Sequence, residues 1–63
     1  MKAAILTIGN ELLNGDIVNT NASWLGQQFT SLGSTVRSMV TIGDSLEGIQ
    51  KTFSTISNEV DCI

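Results

Sequence analysis

The chain has 63 residues, 41% of them hydrophobic, and carries six acidic against three basic residues, for a formal charge of −3. A chain this short forms at most one domain, and its negative charge argues against a partner that is nucleic acid or an anionic membrane. One cysteine and no histidine exclude a disulfide framework and a zinc cluster, and no apolar run reaches the ~20 residues of a membrane span. Since a single cysteine fits a reducing compartment, we expect a cytoplasmic protein.

The first element is predicted to be a strand. Residues 3–8, AAILTI, form a nearly continuous apolar run, which is typical of a strand that is covered on both faces. Residues 9–15, with a glycine at each end, are expected to form a loop after it. Because this strand is the most apolar one, we place it in the middle of the sheet.

A helical pattern covers residues 20–32. Its apolar residues recur three or four positions apart, and Trp24 and Phe29 are expected in the core. Thr20 or Asn21 is predicted to cap its start. A glycine follows its last residue, which is common where a helix ends in a left-handed conformation.

Residues 36–42 alternate in polarity and predict a half-exposed strand. The residues predicted to share one of its faces are Val36, Ser38, Val40 and Ile42. A second helix is expected to start at GDSLEG, where Asp44 and Glu47 resemble a capping box, and to run to Ser57. Residues 60–63 then begin a third strand, with Cys62 in the core.

The order strand, helix, strand, helix, strand indicates two βαβ units, hence an α/β fold with a parallel sheet and right-handed crossovers. With the first strand in the middle, the strand order is 2-1-3 and one helix covers each face. We interpret residues 1–63 as one partial domain, truncated in strand 3 and belonging to a longer fold.

Four polar residues are predicted to gather at the carboxyl edge of this sheet, where ligands bind in open parallel sheets. Glu11 follows strand 1 and Asp44 follows strand 2, while Thr20 and Asn21 open the first helix with backbone N–H groups suited to an anion. A phosphate bound there, with Mg²⁺ bridging it to the two carboxylates, would use all four. The alternatives are that Asp44 and Thr20 or Asn21 only cap helices, and that Glu11 is a solvated loop acid.

The residues from Thr7 onward also resemble a known family. TIGNELLNG, then NTNASWL, then a later glycine, valine and aspartate are similar to the start of the CinA (competence-damage-inducible) proteins and their archaeal relatives. These belong to the MoaB/Mog family of molybdopterin-binding (MoCF) domains. Asn10 and Asn19 lean toward the archaeal proteins related to nicotinamide mononucleotide deamidase. The matching positions are 7–13, Gly15, 19–21, Trp24, Leu25, Gly33, Val36 and Asp44.

The resemblance implies that the chain is the N-terminal βαβαβ part of a three-layer α/β/α MogA-like domain. It implies a glycine-rich phosphate loop after strand 3. It also implies that Glu11 and Asp44 line the active site as catalytic residues and hold Mg²⁺ or another divalent cation. The residues expected to bind the ligand are Gly9, Asn10, Thr20 and Asn21. Asn10 stands where aspartate is common, which removes one potential metal ligand.

Two functions follow as hypotheses. The first is a domain that binds a molybdopterin or nucleotide phosphate, within a pyrophosphate hydrolase or a protein related to nicotinamide mononucleotide deamidase. The second is a non-catalytic binding or assembly module with a vestigial site. Glu11 and Asp44 favour the first and Asn10 favours the second. In either case the resemblance implies a homo-oligomer that binds a small phosphate-bearing molecule, and no nucleic acid or membrane is expected as a partner.

Overall fold

The computed structural model describes residues 1–15 and 19–63. The elements in chain order are β1 (Lys2–Ile8), α1 (Asn10–Leu13), α2 (Thr20–Ser31), β2 (Thr35–Ile42) and α3 (Leu46–Ser57). The alternation of strands and helices confirms the predicted α/β class. The short helix α1 stands where the sequence predicted only a loop. It forms because the carbonyl of Gly9 accepts hydrogen bonds from the N–H groups of Leu12 and Leu13, at 3.2 and 3.1 Å.

The sheet is parallel, as predicted. β1 pairs with β2 from Lys2 opposite Thr35 to Ile8 opposite Ile42. On the other edge of β1, Ala3 forms a parallel bridge with Cys62, supported by a 2.9 Å hydrogen bond from the Ala4 N–H to the Cys62 carbonyl. β1 therefore lies between β2 and the last segment, which is the predicted order 2-1-3. The last segment makes this one bridge rather than a full strand, and Cys62 is half-buried rather than buried.

A register shift near the start of β2 changes which side chains face the first helix. Ala3 pairs with Val36, but Ala4 pairs with Ser38, so Arg37 has no partner on β1. Val36 consequently lines the same groove beside α2 as Met39. The prediction that Val36 shares a face with Ser38 was wrong, because strict alternation does not anticipate an extra residue in one strand.

Helix α2 packs over β1 and β2 through its small residues. Ala22 and Gly26 are buried, and a Cβ atom built on Gly26 would meet the side chains of Met39 and Ile5. The prediction that Trp24 belongs to the core was wrong, because its side chain is 60% exposed; Phe29 is half-buried. Because these residues are small, α2 approaches the sheet closely, and its large apolar side chains lie beside the contact with the sheet rather than within it.

The helix caps differ from the predicted ones by one or two residues. Asn19, rather than Thr20 or Asn21, caps α2, and Ser45, rather than Asp44, caps α3 by accepting a 3.4 Å hydrogen bond from the Gly48 N–H. The end of α2 is as predicted.

The core is small. The buried hydrophobic residues are Ala3, Ala4, Ile5, Ala22 and Ile56. Among the described residues, no helix has the length and apolar character needed to cross a membrane.

Candidate functional site

The candidate site lies where β1 and β2 end. The Gly9 N–H donates a 3.0 Å hydrogen bond to the carbonyl of Ile42, so the chain leaves β1 while still attached to the end of β2. Gly9 is buried, whereas Asn10 and Glu11, which follow it in the sequence, are exposed. The first turn of α1 is thereby fixed at the carboxyl edge of the sheet.

Glu11 lies in the first turn of α1 and folds back over the end of β1. A Cβ atom built on Gly9 would lie 2.7 Å from Glu11 Oε1 and 3.2 Å from Oε2. The carboxylate thus lies directly over the Gly9 Cα, where a carboxylate also interacts favourably with the N-terminal end of a helix. The glycine is what permits this position.

Asn10 joins the two loops. Its side-chain oxygen, Oδ1, accepts a 3.1 Å hydrogen bond from the backbone N–H of Asp44, in the loop between β2 and α3. The same oxygen would lie 2.7 Å from a Cβ atom built on Gly43. This hydrogen bond therefore joins α1, which carries Glu11, to the loop that carries Asp44. Asp44 itself is exposed.

Thr20 and Asn21 are exposed in the first turn of α2. In the part of the chain that the structure describes, no hydrogen bond joins either of them to Glu11, Asn10 or Asp44. Their backbone N–H groups belong to the first turn of a helix, which has no intrahelical acceptors.

Asn19 is the residue that sequence reasoning did not assign to the site. Its Oδ1 accepts a 3.3 Å hydrogen bond from the Ala22 N–H, and its Nδ2 donates a 2.8 Å hydrogen bond to Thr7 Oγ1. Thr7 Oγ1 lies 2.9 Å from Thr41 Oγ1 on β2. This chain of bonds fixes the N-terminus of α2 to both strands. The signal was present in the sequence, since asparagine directly before a helical pattern is a favoured cap.

The acidic groups of the described residues are too few to coordinate a metal ion without other ligands. Within residues 1–15 and 19–63, no three His, Cys, Asp or Glu residues are grouped closely enough to hold a metal ion. A cage made entirely of protein ligands is therefore not formed by these residues. Mg²⁺, however, is commonly held by one or two carboxylates together with water and substrate phosphates. Glu11 and Asp44 are the first described carboxylates that follow β1 and β2 in the sequence.

Comparison with known proteins identifies the family. Residues 4–63 match the family described as "Probable molybdopterin binding domain". No solved structure matches the chain.

Several relatives have similar sequences. Over 63 residues, the whole chain, it is 40% identical to a CinA-like protein of Frankia casuarinae and 38% identical to a protein of Clostridium acetobutylicum named as competence-damage inducible. Over 49 residues, 78% of the chain, it is 53% identical to a CinA-like protein of Salinibacter ruber. The chain spans only 14%, 15% and 12% of the lengths of these relatives, respectively. Because the family match includes nearly every residue, the chain belongs to the molybdopterin-binding (MoCF) domain family, in which it is similar to the CinA-like members.

Proposed function

We propose that this chain forms part of a domain that binds a small phosphate-bearing ligand, a molybdopterin or a nucleotide, at the carboxyl ends of β1 and β2. The hydrogen bond from the Asp44 N–H to Asn10 Oδ1 carries this proposal, because it joins the loops after the two strands into one wall. Ligands of open parallel sheets bind at this edge. The description of the matched family, as a probable molybdopterin-binding domain, supports the same class of ligand.

In this proposal Glu11 and Asp44 hold a divalent cation such as Mg²⁺, and the cation neutralises the phosphate charge. Without a cation the two carboxylates would repel an anionic ligand. The first turn of α2, with Thr20 and Asn21, offers backbone N–H donors to a phosphate oxygen. Gly9 and the first turn of α1 form the wall of the site on the side of β1.

A catalytic function is part of the same proposal. In a complete protein, a cation between Glu11, Asp44 and two phosphates would favour hydrolysis of a pyrophosphate such as that of ADP-ribose, by stabilising charge that develops on the leaving oxygen. The alternative is a non-catalytic binding or assembly module. Among the described residues, the two carboxylates of the site and the amide at Asn10 favour that alternative.

Calorimetric titration of the full-length protein that contains this chain tests the proposal. ADP-ribose and molybdopterin are each added with and without Mg²⁺, and hydrolysis of ADP-ribose is followed separately. We expect one of the two ligands to bind, more tightly with Mg²⁺, and the Mg²⁺ effect to be lost in Asp44→Asn. Binding without hydrolysis would favour the non-catalytic module. If neither ligand binds under either condition, the proposal is wrong.

A further inference from the structure

The side chain of Asn10 is oriented by the group that it faces. The backbone N–H of Asp44 can only donate, so the Asn10 atom 3.1 Å away must be the carbonyl oxygen Oδ1. The two residues lie 34 positions apart in the sequence, so this bond links segments that local structure alone does not bring together. Asn10 Oδ1 is therefore already engaged by the protein.

Position 43 is adapted to the same oxygen. A Cβ atom there would lie 2.7 Å from Asn10 Oδ1, closer than a real Cβ contact allows, and 3.5 Å from Leu13 Cδ2, an ordinary contact. The two described glycines with positive φ are Gly15 and Gly33, so the backbone at Gly43 does not itself require glycine. The approach of Asn10 is the reason for glycine at this position.

We infer that Asn10 is a positioning residue, which acts by holding the start of the β2–α3 loop, and with it Asp44, against the end of β1 rather than by contacting the ligand. This inference rests on the proposed function, in which Glu11 and Asp44 act on one ligand. The side-chain oxygen of Asn10 fixes the start of the β2–α3 loop. The first turn of α1, to which Asn10 belongs, holds the Glu11 carboxylate over Gly9. Asn10 thereby links the loop that carries Asp44 to the short helix that carries Glu11.

Aspartate at position 10 would keep this role, since its carboxylate accepts the same hydrogen bond. An amide that contacts an anionic ligand through its Nδ2 donor would not tolerate the change, because a carboxylate cannot donate and repels the anion. The pair of variants Asn10→Asp and Asn10→Ala therefore separates a positioning residue from a ligand contact. Asn14→Ala is the matched control, because Asn14 is an exposed asparagine at the end of the same short helix.

The first measurement is the hydrogen-exchange rate of the Asp44 amide in the full-length protein without ligand. Asn10→Ala should speed exchange about tenfold, as expected for loss of one hydrogen bond, while Asn10→Asp and Asn14→Ala leave the rate near that of the wild type. The intrinsic exchange rate at Asp44 is unaffected, because none of these substitutions is adjacent to it. Unchanged exchange in Asn10→Ala would overturn the inference.

The second measurement is the dissociation constant of ADP-ribose with saturating Mg²⁺. Asn10→Ala should weaken binding about tenfold, while Asn10→Asp should not weaken it by more than about threefold; any tightening in Asn10→Asp reports the added metal ligand. Gly43→Ala should weaken binding as Asn10→Ala does, but should add nothing in the double variant, since the oxygen that its Cβ would meet is then gone. Additive effects of the two substitutions would contradict the inference.

The remaining outcomes distinguish the inference from the proposed function. If wild-type protein does not bind ADP-ribose or molybdopterin, the proposed function fails, and the exchange rate of the Asp44 amide still decides whether Asn10 holds that loop. If Asn10→Ala speeds exchange but leaves ligand affinity unchanged, the bond is only structural and the positioning role is rejected. Loss of binding in Asn10→Asp together with Asn10→Ala would indicate direct ligand contact instead.

Discussion

At the scale of single residues, two glycines at the site make room for polar side-chain atoms. Gly9 lies beneath the Glu11 carboxylate, and Gly43 lies beside Asn10 Oδ1. In each case the distance from a hypothetical Cβ atom to the side-chain oxygen is 2.7 Å. The backbone of Gly9 is extended and accessible to any residue. These two positions therefore control where functional side chains lie, and an alanine would displace those side chains without straining the backbone.

We predict that Gly9→Ala impairs the site through Glu11. The added methyl group should move the carboxylate, so Mg²⁺-dependent binding of ADP-ribose should fall about 10–100-fold, the usual effect of disturbing the orientation of a metal-holding group.

Glu11→Gln should abolish any hydrolysis of ADP-ribose. Because Glu11 is exposed, this substitution should change the free energy of unfolding by less than ~0.5 kcal/mol. Unchanged turnover in Glu11→Gln, measured beside urea unfolding, would refute the role assigned to that carboxylate.

At the scale of the elements, α2 is hydrogen-bonded to the sheet at its N-terminus, and specific hydrogen bonds end it at its C-terminus. Asn19 caps its first turn and also reaches Thr7 on β1. At the other end, the N–H of Gly33 donates to the Thr30 carbonyl and the N–H of Ser34 to the Phe29 carbonyl, each at 3.0 Å. This pair of hydrogen bonds, with Gly33 at φ 84°, is the Schellman motif. Both ends of α2 are thereby fixed by specific contacts.

Asn19→Ala should lower the free energy of unfolding by about 1–2 kcal/mol, because it removes both the cap and the hydrogen bond to Thr7. Asn19→Asp should cost less, since aspartate also caps and can accept a hydrogen bond from the Thr7 hydroxyl. Thr20→Ala and Asn21→Ala serve as controls and should change stability by less than ~0.5 kcal/mol. Urea denaturation of the full-length variants provides the comparison. A larger loss in Thr20→Ala or Asn21→Ala than in Asn19→Ala would contradict this assignment of the cap.

Gly26, inside α2, and Gly33, just after its end, should respond in opposite ways to replacement by alanine. Gly33→Ala should destabilise the protein by about 1–2 kcal/mol, because an L-residue is strained at positive φ. Gly26→Ala should stabilise it by up to about 1 kcal/mol through helix propensity. The atom that its Cβ would meet is the end of the flexible Met39 side chain, which is half exposed and can move aside. Urea unfolding measures both changes, and a destabilising Gly26→Ala would show that Met39 is held in place.

At the scale of the whole molecule, the chain exposes more surface than a well-packed domain of its size. Its accessible surface is 4389 Å², against about 3,900 Å² expected for a folded monomer of this length. Of the five buried hydrophobic residues within 1–15 and 19–63, two are larger than alanine. Trp24, Leu46 and Leu32 are 60%, 72% and 81% exposed. Hydrophobic burial within these residues therefore contributes little to stability.

We predict that the isolated 63-residue chain does not unfold cooperatively. Its far-ultraviolet circular dichroism should change gradually on heating, and iodide should quench Trp24 fluorescence almost as strongly at low temperature as after denaturation. The control is Trp24→Phe, which removes the fluorescence and confirms its source. A sharp melting transition of the chain, shown to be monomeric by sedimentation, would disprove this expectation.

The contents of the candidate site were partly readable from the sequence. A continuous apolar run followed by glycine, asparagine and glutamate predicted a loop at the end of a central strand, and parallel topology then placed Asp44 nearby. The hydrogen bond between Asn10 and Asp44, and the exchange of a predicted loop for α1, were not predictable. The hydrogen bond depends on how two segments distant in the sequence meet, and α1, with four residues, is too short to show a helical period.

The sequence by itself determined the order of the elements, the parallel sheet and the family, because hydrophobic periodicity and a nearly continuous motif specify them locally. Tertiary structure decided the rest. The unpaired Arg37 turned Val36 toward α2, the close approach of Ala22 and Gly26 to the sheet left Trp24 exposed, and the capping Asn19 was joined to Thr7 on β1. Each of these outcomes depends on which neighbour lies within a few ångströms, and packing rather than residue type sets that distance.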